Sequence, residues 1–152
     1  MVGWLTKPHV SRWWRGLNTL ELVKDEFESC IDGSEPSLVF IAIVKQKPIG
    51  LIQTYAVSDY PDHAKSVGLD RAVGIDLFIG EENYINKGYG TVMLGEFIDS
   101  VIKQKYKSFD LVVADPETAN TASIRAFEKA GFKKGKLVSG EYGLEQLMIA
   151  RI

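Results

Sequence analysis

The stretch Ile85-Asn86-Lys87-Gly88-Tyr89-Gly90-Thr91 constrains the chain more than any other. It joins an apolar, strand-like run, Ala72 to Ile79, to a helical stripe made of Leu94, Phe97, Ile98, Val101 and Ile102. Glycine lets backbone approach a ligand closely, and the first N–H groups of a helix have no partner within it. With the helix dipole they make an anion site suited to a pyrophosphate, and Lys87 adds a positive charge. The stretch is not a P-loop, since no Gly-Lys-Ser/Thr follows four spacer residues. Nor is it a full G-x-G-x-x-G fingerprint, because Met93 stands where the third glycine belongs.

The remaining segments alternate in the same way. Asn18, with Glu21 three residues later, reads as the cap of a helix carrying Leu20, Val23, Phe27 and Ile31, with Gly33 ending it. Leu38 to Val44 is a continuous apolar run, expected to be a strand buried on both faces. Lys45 to Pro48 reads as a turn and Ile49 to Val57 as the partner strand. Ser58 to Arg71 reads as a long loop, a common form for a substrate-facing segment. Phe109 to Ala114 is a strand stopped by Pro116. Asn120 opens a helix with Ile124, Phe127 and Ala130, closed by Gly131. Phe132 to Val138 and Tyr142 to Ala150 are the last strands. The order α-β-β-β-α-β-α-β-β predicts an α/β fold on a mixed central sheet. A length of 152 residues without repeats or linkers points to a single domain over residues 1–152.

Composition narrows the function. A formal net charge of −2 argues against nucleic acid as a partner. One cysteine, Cys30, excludes an internal disulfide and suits a reduced, cytoplasmic setting. His9 and His63 lie far apart and no Cys/His cluster has metal-ligand spacing, so no metal is expected. There is no signal-peptide pattern and no apolar run of membrane-spanning length.

A second segment, Asp115-Pro116-Glu117-Thr118-Ala119-Asn120, leads into Glu128-Lys129-Ala130-Gly131-Phe132. Together with Gly88-Tyr89-Gly90 about thirty residues earlier, it resembles the GNAT acetyltransferase superfamily. The likeness covers nearly the whole chain, from about Trp4 to the end. Within the superfamily the sequence is similar to aminoglycoside 6'-N-acetyltransferases. Pro8-His9-Val10, Trp13-Trp14, Pro48-Ile49-Gly50, Gly74-Ile75-Asp76 and Asp115-Pro116 carry that similarity. The resemblance implies a GNAT-like mixed sheet with splayed central strands and acetyl-CoA as co-substrate. Backbone N–H groups of Ile85, Asn86, Lys87, Gly88, Tyr89, Gly90 and Thr91 would hold the pyrophosphate. Asn120 would bond the pantetheine arm or the helix end, and the strands containing Asp76 and Asp115 would part to admit the thioester. Three positions depart from the family. Ile85 replaces a frequent Gln or Arg, and Phe127 replaces a frequent Tyr that can serve the leaving thiolate. Only Met1-Val2-Gly3 precede Trp4, so the family's first strand is expected to be missing.

The residues support an acidic acceptor pocket. Asp76 lies inside an apolar strand, where a carboxylate is costly unless paired or meeting a ligand. Asp115 ends a strand at the carboxyl end of the sheet, where α/β ligands bind. Two carboxylates on neighbouring strands suit a cationic amine and can accept its proton, so Asp76 and Asp115 are the expected catalytic and substrate-binding pair. Trp13 and Trp14 are expected as an apolar wall beside them. The expected reaction is direct attack of a primary amine, such as an aminoglycoside 6'-amine, on the acetyl thioester. Alternatives are a siderophore precursor or a protein amine as acceptor, or a CoA-binding domain without catalysis. With the first strand missing, the edge of Leu38 to Val44 is expected to self-associate or to be covered by Met1 to Arg15.

Overall fold

The computed structural model describes residues 2–152. Met1, the first residue of the Trp-rich segment, lies outside the described residues. The strands are β1 (Leu38–Val44), β2 (Lys47–Ala56), β3 (Ala72–Ile79), β4 (Leu111–Ala114), β5 (Lys133–Gly140) and β6 (Gly143–Arg151). They form one mixed sheet in the order β1-β2-β3-β4-β6-β5. Every neighbouring pair is antiparallel except β3 and β4. That parallel ladder is short: Ala72, Val73 and Gly74 face Leu111, Val112 and Val113. Beyond it the strands part. β3 runs on to Ile79 paired only with β2, while β4 stops at Ala114 ahead of Pro116. The splayed mixed sheet expected from the sequence is therefore present, and no strand precedes β1 among the described residues.

The helices are α1 (Val2–Leu5), α2 (Pro8–Ser11), α3 (Leu20–Asp32), α4 (Pro61–Val67), α5 (Tyr89–Phe97), α6 (Lys103–Lys105) and α7 (Thr121–Lys129). A π-helical segment, Ile98–Ile102, joins α5 to α6. Strand side chains alternate between faces, and the two cores follow that alternation. On one face Ile52, Val73, Ile75, Val112 and Met148 pack with Leu94 and Phe97 of α5 and with Ile124 and Phe127 of α7. On the other, Ala72, Val113 and Leu147 pack with Ala64 and Val67 of α4. Next to them Leu51 and Phe78 pack with Leu5, Val10, Val23 and Phe27. The period of two puts Asp76 with Ala72 and Phe78, and Asp115 with Val113, so both carboxylates belong to the α3/α4 face.

Four local expectations are corrected. Thr19, not Asn18, caps α3: its backbone is extended and its hydroxyl accepts from the Leu22 N–H at 3.3 Å. Leu38 to Val44 is not buried on both faces. As the edge strand it leaves Phe40, Ile41 and Ile43 exposed. An unbroken apolar run does not by itself tell a central strand from an edge. Ser58 to Arg71 is not all loop, because α4 lies within it. Pro61 starts that helix and Gly68, at φ 72°, closes it. Proline at a first turn and glycine just past an end are helix signals as much as loop signals. Finally, the described part of the N-terminal segment adds no strand beside β1 and packs instead on the sheet face through Leu5 and Val10.

Glu81, just past β3, pins that segment in place. Its carboxylate accepts from Trp4 Nε1 at 2.9 Å and pairs with Lys47 Nζ at 2.8 Å. Lys7 donates to the Gly80 carbonyl at 3.0 Å, and His9 Nε2 donates to the Ile79 carbonyl at 3.0 Å. Trp4 lies over Gly80, where a Cβ would stand 2.2 Å from the indole. The Lys47 ammonium and the Trp4 N–H hold the Glu81 carboxyl down at about 2, against an ordinary 4.5. A depressed carboxyl stabilises the fold above its unfolded pKa and loses that effect as pH falls through the folded value. Glu81→Gln should therefore lower Tm at neutral pH. The gap to the parent should close between about 4.5 and about 2, measured by thermal melts across that range. A constant gap at every pH would contradict this account.

Candidate active site

The parting of β3 and β4 opens a cleft of about 320 Å³. Asp76, Asp115, Trp13, Trp14, Asn120 and Phe127 all line it, so the structure brings together these six residues singled out by sequence. Gln53, Glu117, Ser123 and Glu145 line it too, and sequence reasoning missed them as site residues. Gln53 faces Asp76 across the β2–β3 ladder and donates to its Oδ2 at 3.1 Å. Asn120 caps α7, accepting from the Ser123 N–H at 3.2 Å. Phe127 is core and lining at once: it packs edge-on against Phe132 with 5.0 Å between ring centres. Trp14 stands edge-on to Phe78 at 5.0 Å. The cleft is roofed by a clasp in which the Arg15 guanidinium grips both oxygens of Glu117 and lies 4.3 Å from the Tyr142 ring centre.

Residues Ile85 to Thr91 do not line the cleft itself; they stand beside it at the start of α5. Gly88 adopts the left-handed conformation at φ 84°, and no side chain caps the helix. First-turn N–H groups therefore point outward without partners. Asn86 is also left-handed, at φ 57°. A Cβ on Gly90 would sit 3.8 Å from Ala126 Cβ and 4.0 Å from Leu77 Cδ1. Gly90 thus faces the seam between α5, α7 and the cleft wall, since Leu77 lines the cleft. Thr91 Oγ1 donates to the Ala126 carbonyl at 3.4 Å across the same seam. An uncapped helix start beside the cleft, with a glycine at the seam between them, fits a ligand that carries a pyrophosphate at one end and a thin chain at the other.

Electrostatics set the cleft's chemistry. Asp76 keeps some surface open to the cleft, yet the surrounding protein and the charge on Asp115 push its carboxyl up to about 6. Burial and the charges of Asp115 and Glu117 push Glu145 up to about 7. Carboxyls poised near neutrality can take a proton from an attacking group. His63, on α4, donates from Nε2 to Asp115 Oδ2 at 2.7 Å. A second cleft, of about 410 Å³, lies on the α3/α4 side and shares Gln53 with the first. Asp25, Glu26 and Glu35 give it an acidic lining.

A protein-family model described as an acetyltransferase (GNAT) domain matches residues 1–139. The chain belongs to the GNAT acetyltransferase family. Among its relatives is the aminoglycoside N(6')-acetyltransferase type 1 of Klebsiella pneumoniae. It is 27% identical over 150 residues, spanning 96% of this chain and 74% of the relative. The crystal structure of the aminoglycoside acetyltransferase AAC(6')-Ib with coenzyme A and kanamycin superposes with a TM-score of 0.81. The match covers 99% of this chain and 86% of that one, at 23% identity. The aminoglycoside N(6')-acetyltransferase of Legionella pneumophila gives a TM-score of 0.75 at 26% identity, over 99% and 83% of the two chains.

In this GNAT domain the acidic site works against stability. A carboxyl raised in the folded state stabilises the fold below its unfolded pKa, and that effect is lost as pH rises through the folded value. Ionised Asp76 is thus a strain on the fold at neutral pH. Asp76→Asn should raise Tm above the parent's, with the gap opening as pH climbs from about 3.8 to about 6. Carbon-13 NMR should show the Asp76 carboxyl titrating near the upper figure. An Asn variant no more stable than the parent at neutral pH would sink this reading.

Proposed function

We propose that the chain transfers the acetyl group of acetyl-CoA to a primary amine of an aminoglycoside-like polycation. The observation that carries this reading is the juxtaposition of an uncapped helix start with an acidic cleft, joined through a gap in the sheet. The cleft's two sides divide the labour. The α5/α7 face offers the cradle of Ile85 to Thr91, with Asn120 and Phe127 at the gap, for the nucleotide and its thin arm. The α3/α4 face offers Asp76, Asp115 and the acidic second cleft for the amine.

Acetyl-CoA supplies an activated acyl group as its thioester. The chain's own residues do the rest. Asp76 and Asp115 hold the incoming ammonium by charge-assisted hydrogen bonds. Gln53 fixes the Asp76 carboxylate by its donated bond. Asp76, with a pKa of about 6, receives the amine proton so that the nitrogen lone pair is free to attack. Trp13 and Trp14 wall the site and exclude water. Phe127 has no proton to give, and the departing thiolate leaves without help from that position. A thiol pKa near ~8.5, by analogy with cysteine, makes it a tolerable leaving group.

An aminoglycoside is favoured over a lone amine because two acidic clefts adjoin. One amine can sit at Asp76 and Asp115 while others meet Asp25, Glu26 and Glu35. Acetylation neutralises the amine's charge, so this activity would act as antibiotic resistance. We place it in the cytoplasm, where acetyl-CoA is made and used, and without nucleic acid as a partner. The open apolar edge of β1 supports self-association of the chain.

Two sets of variants should separate. Asp76→Asn and Asp115→Asn keep shape and remove charge. Losing a charge-assisted bond costs about 1.5–3 kcal/mol, so kcat/KM for the amine should fall by roughly ten- to a hundredfold in Asp115→Asn, and by more in Asp76→Asn, which also loses the proton acceptor, with acetyl-CoA affinity little changed. Gly90→Asp should instead weaken acetyl-CoA binding by bulk and charge. Steady-state acetylation of kanamycin, with calorimetry for acetyl-CoA, reads both. Full amine turnover in both Asn variants would refute the acidic acceptor site, and unchanged acetyl-CoA affinity in Gly90→Asp would refute the cradle.

A further inference from the structure

His63 belongs to no part of the reaction described so far, yet it touches the acceptor carboxylate directly. It sits on the first turn of α4, whose start is fixed by Pro61. Its Nε2 donates to Asp115 Oδ2 at 2.7 Å, in a pair that is mostly shielded from solvent, with side-chain exposures of 21% and 15%. The ring leans on Tyr55, with 5.8 Å between centres. Tyr55 in turn lies across Gly74, where a Cβ would stand 2.3 Å from the phenol ring. The missing side chain of Gly74 thus makes room for the ring that backs His63. His63 lines the second cleft while Asp115 lines the first, so the pair forms part of the wall between them.

A carboxylate bonded through one oxygen leaves the other for a second cation. An imidazolium in that bond cancels much of the charge the second cation would feel. We propose that His63 is a positioning residue of the acceptor site, turning Asp115 toward the first cleft and, when protonated, competing with the substrate ammonium for that carboxylate. This rests on the acetyl-transfer reading and names what sets amine affinity within it.

Titratable groups face His63 from several elements, the carboxylates charged and the phenols neutral. Asp115 follows β4, Asp76 lies on β3, Glu145 on β6 and the phenol of Tyr55 on β2. Across the second cleft stand Asp25 and Glu26 of α3, with Glu35 and Tyr60. The Asp115 bond and the charges of Asp115, Asp76 and Glu145 raise the His63 pKa, against a smaller lowering by burial. As pH rises through that pKa the imidazole loses its charge and the site becomes more negative. An aliphatic amine, with a pKa near ~10 by analogy with lysine, is still a cation there. Amine affinity should therefore increase with pH. Asp76 and Glu145 ionise over a neighbouring range and push in the same direction. Only the part of the slope removed with the imidazole belongs to His63.

The test uses the whole chain with kanamycin as probe. His63→Gln keeps an N–H donor for Asp115 but has no charge to lose. At pH ~6 its KM for kanamycin should be lower than the parent's by on the order of tenfold, with the gap shrinking as pH rises. In the parent, proton NMR of the imidazole should show the His63 pKa falling when kanamycin saturates the site, a readout that needs no variant. A purely structural role would lower Tm and kcat at all pH values and leave the slope of KM with pH intact. Kanamycin acetylated by both forms with parallel KM profiles, or an imidazole pKa unmoved by kanamycin, overturns the inference and leaves acetyl transfer standing. A parent that neither binds nor acetylates kanamycin overturns the aminoglycoside reading and this inference with it.

Discussion

The short parallel ladder between β3 and β4 is the constraint on which the rest depends. Three residues on each strand face one another, and then the sheet opens. Backbone groups along one side of β3 beyond Gly74 consequently lack a neighbouring strand, and buried backbone groups demand partners. A sheet tolerates such a gap only if something else fills it, which makes the cleft part of the fold's own hydrogen-bond accounting. Pro116 helps enforce the opening, because it has no N–H with which β4 could continue. Asp76 and Asp115 sit just past the last paired residues, so the feature that opens the gap also sets two carboxylates at its mouth.

Those carboxylates create an imbalance that the structure only partly corrects. Asp76, Asp115, Glu117 and Glu145 all line one cleft. The cations that answer them are His63, paired with Asp115, and Arg15, paired with Glu117. Asp76 and Glu145 are left with weaker support, and their raised pKa values record it. A natural protein accepts such local strain where binding requires it. The surplus negative charge is an unfilled demand for a cation, matching the amine in the proposed reaction.

Much of this was legible in the sequence, for physical reasons that differ by residue. Gly88-Tyr89-Gly90 was readable because few residues tolerate the left-handed backbone that Gly88 adopts. Asn120 was readable because capping favours few side chains. Asp76 stood out as a charge in an apolar strand. His63 was not legible. It lies between Pro61 and Gly68, which mark a turn or a helix equally well, and its contact with Asp115 spans 52 positions. Arg15 and Glu117 were hidden in the same way, since pairing across a fold leaves no local pattern. The edge position of β1 was invisible because apolar content reports burial potential, and strand order decides whether it is realised. The π-helical step at Ile98–Ile102 had no sequence signal that we can identify.

Glu81 carries a consequence beyond holding the first helices down. It immediately precedes the turn Glu82–Tyr84 that leads into the Ile85 to Thr91 cradle, and it grips the segment that delivers Trp13 and Trp14 to the cleft. Glu81 therefore links the two halves of the site, with the Lys7 and His9 bonds holding the same segment beside it. If occupancy at the cradle tightens this anchor, the tryptophan wall is ordered with it, and thermodynamic reciprocity requires the acceptor side to return the same coupling to the cradle. The two substrates would then favour each other's binding through the protein as well as through their own contact, with Glu81 as the hinge pin of a mechanical linkage.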